Sequence, residues 1–211
     1  MNRHARNRPL RWLSLAAAVI ALSAPADAQT LGGAVLANAL RQGGYVLVVR
    51  HANSPAALPD KATADAANVK LERQLDTVGQ DQAREFGEGV KAARLPVGDV
   101  YSSPTYRALE TVRLASLGTA RTFAELDEGA QGMQSNADAA RSAWLRAKAA
   151  EMPRARTDTI IVTHAPNIGG AFGAAVSDVA AGETLVFRPD GRGAANLVAR
   201  IKVKDWPLLA K

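Results

Sequence analysis

Two histidines, His51 and His164, stand out by where they fall in the chain. Each directly follows an apolar, β-branched run: Tyr45-Val46-Leu47-Val48-Val49-Arg50 before the first, Thr159-Ile160-Ile161-Val162-Thr163 before the second. Such runs read as strands buried on both faces of a parallel sheet. The carboxyl ends of the strands in such a sheet form its ligand-binding edge, so the two histidines can meet at one site although far apart in sequence. A single strand-end histidine would read most simply as a packed, hydrogen-bonded side chain. Two in matching contexts point to chemistry, and imidazole serves there as nucleophile, acid or base.

Two arginines sharpen the chemistry. Arg50 precedes His51 at the strand end, where a guanidinium is costly to bury without an anionic partner. Arg107 lies in Ser102-Ser103-Pro104-Thr105-Tyr106-Arg107-Ala108-Leu109-Glu110-Thr111, in the first turns of a helix that follows a second strand. A guanidinium binds phosphate oxygens through a planar, bidentate fork. Taken alone, Arg107 could be a surface partner of Glu110 or Glu128. Two arginines and two histidines converging on one edge describe a pocket for a doubly negative oxyanion.

The elements that must hold these groups alternate. A helix is expected over residues 30–42, ended by Gly43-Gly44, and a strand over 45–49. Residues 52–70 read as a loop. Thr77-Val78-Gly79-Gln80 fits a capping box, with Ala83, Phe86, Val90 and Ala93 on the buried face of its helix. Val97 to Tyr101 is a strand, Ser103 the expected N-cap of a helix reaching about Leu117, and 121–123 a brief strand. Ser135 or Asn136 opens an alanine-rich helix, 159–163 is a strand, and a helix is expected after Gly169. Pro189-Asp190-Gly191 turns a closing hairpin between 183–188 and 194–202. The expectation is a three-layer α/β/α domain with a mostly parallel central sheet and a C-terminal antiparallel hairpin.

Composition narrows the classes. The 211 residues contain no cysteine, which removes disulfides, thiolate metal sites and cysteine nucleophiles together. Residues 1–28 read as a signal peptide: four arginines, an apolar run from Trp12 to Ala24, then Ala26-Asp27-Ala28 as a cleavage pattern. The domain expected to follow is 29–211, exported and presumed periplasmic in its working compartment, with no membrane span after cleavage. Removing the leader takes away four arginines and Asp27, so the formal charge falls from +6 to +3. That leaves little support for a nucleic-acid partner.

The motifs, taken in order, resemble the histidine phosphatase superfamily, also called the phosphoglycerate mutase-like family. Arg50-His51-Ala52 resembles its Arg-His-Gly signature. Leu71-Glu72-Arg73-Gln74-Leu75-Asp76-Thr77-Val78-Gly79-Gln80-Asp81-Gln82-Ala83 resembles its Leu-Thr-x-x-Gly-x-x-Gln-Ala helix opening. The Ser-Ser-Pro-x-x-Arg-Ala-x-Glu-Thr stretch at 102–111 and Thr163-His164-Ala165-Pro166-Asn167-Ile168 resemble two more of its motifs. Ala52 departs from the usual glycine, and alanine would resist a positive φ there. Asn53 stands where the family often has Glu or Gln and is given no catalytic role.

The resemblance implies that neutral His51 forms a phosphohistidine, with Arg50, Arg107 and His164 binding the phosphoryl oxygens. It implies a general acid in the segment Glu125-Leu126-Asp127-Glu128, for which Glu128 fits the family frame and Glu125 and Asp127 compete. No cofactor and no metal is expected, and the expected partner is a small phosphorylated substrate. The implied activity is that of a secreted phosphomonoesterase. The rivals are a phosphoglycerate mutase, which export argues against, and a catalytically silent phosphate- or phosphosugar-binding envelope protein.

Overall fold

The computed structural model describes residues 32–55, 70, 72–128 and 135–210. The signal-peptide reading of 1–28, most of the loop after Asn53 and residues 129–134 fall outside the described residues. The elements are α1 (Gly33–Gln42), β1 (Val46–Arg50), α2 (Thr77–Ala92), β2 (Val97–Ser102), α3 (Tyr106–Leu114), β3 (Arg121–Thr122), α4 (Ser135–Ala150), β4 (Asp158–Thr163), α5 (Ala165–Phe172), β5 (Thr184–Pro189) and β6 (Ala195–Ile201). Short 3₁₀ turns span Ala124–Leu126, Ala174–Val176 and Val203–Ala210. Among these residues no helix is long and apolar enough to cross a membrane.

One six-stranded sheet runs in the order β3-β2-β4-β1-β5-β6. The pairs β1–β4, β2–β4 and β2–β3 are parallel, whereas β5 is antiparallel to β1 and β6 to β5. The continuous apolar runs are explained by the two faces of β1. Leu47 and Val49 pack with Leu40, Phe86, Val112 and Trp206 from one side. Val46 and Val48 pack with Leu145, Ala149 and Ile168 from the other. Helices cover both faces, so no β1 position can be polar until the strand leaves the core at Arg50.

The helix starts differ from the sequence reading in informative ways. Asp76, not Thr77, is the N-cap of α2, its carboxylate accepting from Gly79 N at 2.7 Å. Thr105, not Ser103, is the N-cap of α3, and α3 ends at Leu114 rather than near Leu117. The Ser103 hydroxyl is used elsewhere, accepting from Thr105 N and bonding His164. Helix α5 begins at Ala165, directly after His164, because Pro166 fits the first turn, where no amide donor is needed. The closing hairpin turns where expected, with Asp190 Oδ1 accepting from Arg192 N at 2.7 Å and Ala194 N at 3.0 Å.

The start of α2 is locked to the loop that carries His51. Asn53 donates from Nδ2 to Asp76 at 2.7 Å and from its amide to Gln82 Oε1 at 2.9 Å. Gly79 permits this approach: a Cβ there would lie 2.0 Å from the Asn53 carbonyl oxygen. Backbone cannot yield as a flexible side chain can, so Gly79→Ala is expected to cost about 1–3 kcal/mol. Thermal unfolding measures this, and an unchanged midpoint would contradict the packing described.

Candidate active site

The parallel register sets Arg50 opposite Thr163, so the next residues, His51 and His164, become neighbours at the carboxyl edge. Their ring centroids are 5.0 Å apart with planes at 64°. His51 is buried, and its Nδ1 lies 2.7 Å from the Ala52 carbonyl. A carbonyl only accepts, so Nδ1 carries the proton and Nε2 keeps a free lone pair. Burial pushes the His51 pKa down to about 3, aided by the charges of Arg107, Arg50 and Arg73 and opposed by the Ala52 carbonyl. The ring is therefore neutral at ordinary pH.

His164 is fully buried at the N-cap of α5. Its Nε2 lies 2.9 Å from Ser103 Oγ and 3.4 Å from Thr105 Oγ1. Burial, then His51 and Arg107, hold its pKa well below the usual histidine value. The strand-to-helix junction after β2 thus supplies hydroxyls that orient one imidazole and, one turn on, the guanidinium of Arg107.

Arg107 is fully buried, and its Nη2 donates to Glu128 Oε1. Arg50 donates from Nη1 to the Val179 carbonyl at 2.8 Å. Arg50 Nε, Arg107 Nε and Arg107 Nη1 are buried without a hydrogen-bond partner among the described residues. Buried charged donors left unmatched are expensive, and anionic oxygens would satisfy them. A third guanidinium, Arg73, was not singled out from the sequence. Its Nη1 lies 3.8 Å from Glu128 Oε1, and the Ser54 and Pro55 carbonyls accept from it. It stands just before α2, inside the stretch 71–83 that resembles a family motif but at none of that motif's fixed positions.

Of the three candidate acids, Glu128 pairs with Arg107 and approaches Arg73 and His164, with Oε2 3.4 Å from His164 Nδ1. Asp127 is buried beside it and adds to the field at Arg107 after Glu128. The Glu125 carbonyl accepts from Asn167 Nδ2 at 3.2 Å. The acid segment is fixed from β4 and α5: Thr163 Oγ1 donates to the Leu126 carbonyl at 2.8 Å and Asn167 Nδ2 to the Asp127 carbonyl at 3.0 Å. These contacts give Thr163 and Asn167 a physical reason to flank His164. Beside Glu128 lies a cavity of about 180 Å³ lined by Arg141, Ser142, Pro166 and Asn167.

Ala52 corrects the expectation drawn from its missing glycine. It is fully buried and is not among the residues with positive φ, so alanine sits there without backbone strain. Its amide donates to Thr111 Oγ1 at 3.1 Å, and that hydroxyl donates on to the Arg107 carbonyl at 2.8 Å. The Thr111 hydroxyl therefore ties the nucleophile loop to the helix that carries Arg107.

A neutral imidazole with an unprotonated Nε2, flanked by guanidinium donors, can attack phosphorus while the donors hold the non-bridging oxygens.

Solved structures with the same fold include the protein histidine phosphatase SixA complexed with tungstate, at 17% identity and a TM-score of 0.56, matched over 76% of this chain and 97% of that one. A phosphoserine phosphatase mutant from Entamoeba histolytica in complex with phosphoserine matches at 14% identity and a TM-score of 0.51, over 76% and 98% of the two chains. A protein from a Mycobacterium tuberculosis open reading frame matches at 18% identity and a TM-score of 0.54, over 73% and 95%. At these identities the likeness is one of fold. No curated protein sequence matches the chain. The family model for the histidine phosphatase superfamily (branch 1) matches residues 46–161, more than half of the chain. The segment from β1 into β4, with His51 and Arg107 inside it, thus places this protein in the histidine phosphatase superfamily.

Proposed function

We propose that the protein is a phosphatase that hydrolyses a phosphomonoester through a phosphohistidine at His51. Family membership supports phosphatase activity. The observation that carries the finer reading is the neutral His51 ring, with Nε2 unprotonated, beside arginine donors left unsatisfied among the described residues. His51 Nε2 attacks phosphorus as the bond to the leaving oxygen breaks. Arg50, Arg107 and His164 hold the phosphoryl oxygens, and Arg73 adds positive charge. Glu128 donates a proton to the leaving oxygen. It then takes one from the water that attacks the phosphohistidine, releasing inorganic phosphate and restoring His51.

The pairing of Glu128 with Arg107 supports the role of acid through competition. Phosphoryl oxygens that enter compete with the Glu128 carboxylate for the Arg107 fork, which releases Glu128 to face the leaving oxygen. The low proton affinity of His51 supports both steps, since the same ring must stay unprotonated to attack and must leave phosphorus easily afterwards. A silent binding protein draws support from Ala52 and from the open choice of acid; the first falls away because the alanine is unstrained. The substrate on this reading is small, its leaving group seated beside Glu128.

The basic, then apolar, then small-residue pattern of 1–28 supports export, with the mature chain starting near Gln29. Mass spectrometry of the expressed protein tests this, and an intact Met1 in the membrane fraction would overturn it. His51→Ala is expected to abolish turnover while circular dichroism stays that of the parent; a folded variant with parental activity would remove His51 as nucleophile. Glu128→Gln is expected to slow alkyl phosphates by about 10²–10⁴-fold. It should slow p-nitrophenyl phosphate far less, because that leaving oxygen hardly needs a proton. Equal, small losses on both substrates would place the acid elsewhere, with Asp127 and Glu125 next.

A further inference from the structure

Arg50 does not hold its own position. Its Nη1 is spent on the Val179 carbonyl at 2.8 Å, which leaves Nε unmatched. Val179 is buried in the segment 177–183 that runs from the Ala174–Val176 turn into β5. The same segment clasps the backbone at the nucleophile: Arg50 N donates to the Glu183 carbonyl at 3.1 Å, and Gly182 N donates to the carbonyls of Arg50 and His51 at 3.1 and 3.2 Å. Whatever fixes this segment therefore fixes both the guanidinium and the chain beneath it.

A single ion-pair network fixes it. The Glu183 side chain is 1% exposed, and its Oε2 accepts from Ala180 N at 2.8 Å. Arg200, reaching across from β6, grips that carboxylate with both edges of its fork, Nε to Oε1 at 2.8 Å and Nη2 to Oε2 at 3.2 Å. Its Nη1 continues to Asp178 Oδ1 at 2.9 Å and to the Ala175 carbonyl at 3.3 Å. Arg200 thus contacts Ala175, Asp178 and Glu183, bracketing Val179 on both sides. Arg200 and the hydrogen bonds of the segment hold the Glu183 pKa below the usual glutamate value against its burial.

We propose that Arg200 and Glu183 are positioning residues for phosphate binding: from the edge hairpin they hold the Val179 carbonyl where it orients Arg50. A planar fork satisfies this geometry, and an ammonium cannot reproduce it. The inference rests on reading Arg50 as a phosphate ligand.

The test measures binding of inorganic phosphate by titration calorimetry, with kcat and KM on p-nitrophenyl phosphate alongside. Arg200→Gln is expected to weaken phosphate binding roughly tenfold, the scale of one charge-assisted hydrogen bond. KM should rise by a similar factor and kcat should change less. In an Arg50→Ala background the same substitution should have almost no further effect on phosphate affinity. Should Arg200→Gln not fold, Arg200→Lys keeps the charge without the fork and is expected to weaken phosphate in the same direction. Unchanged phosphate affinity in a folded Arg200 variant would overturn the proposal. So would an equal loss with and without Arg50, because a mere structural prop behaves that way. A parent protein that does not bind phosphate would instead overturn the phosphatase reading beneath it.

Discussion

The parallel register of β1 against β4 is the constraint on which the site depends. Setting Arg50 opposite Thr163 makes His51 and His164 neighbours, and His51 N donates to the Thr163 carbonyl at 2.9 Å. A slip of one residue would turn Val49 and Arg50 to the wrong faces and part the two rings. The register is strongly specified because both faces of β1 are buried, by α1, α2 and α3 on one side and by α4 and α5 on the other. The chemistry at the edge thus derives its precision from apolar packing some distance below it.

On that frame sits a cluster with an electrostatic imbalance. Arg73, Arg107 and His164 meet around Glu128, with Arg50 and His51 beside them at the same sheet edge, and several buried donors have no match among the described residues. A dianionic phosphoryl group would restore balance, and the cost of holding the donors ready is met by the folded core around them. Burial chiefly, with the positive field in support, keeps His51 unprotonated. The hydroxyls of Ser103, Thr105 and Thr111 do the quieter work of fixing the imidazole of His164 and the loop at Ala52.

Much of this was legible in the sequence. The apolar runs before His51 and His164 announced buried strands, since the middle of a strand covered on both faces carries apolar side chains. The hairpin was legible because Asp190 and Gly191 have a specific turn chemistry. What was not legible depended on partners remote in the chain. Ser103 has the character of an N-cap, yet a buried imidazole competes for its hydroxyl and the helix starts later, at Tyr106. Arg73 belongs to no periodic pattern, and its place beside Glu128 exists only in three dimensions. Ala52 was read through the glycine it replaces, whereas its actual backbone never enters the left-handed region.

The central claim is that His51 Nε2 becomes covalently bonded to phosphorus during turnover. The most direct measurement quenches the enzyme in base during steady-state turnover, where phosphohistidine survives, and examines it by ³¹P NMR and peptide mass spectrometry. The account predicts one phosphoryl group, on the Nε2 of His51, because Nδ1 is committed to the Ala52 carbonyl. Phosphorus on His164, on Nδ1 of His51, or on no side chain while turnover proceeds would contradict it.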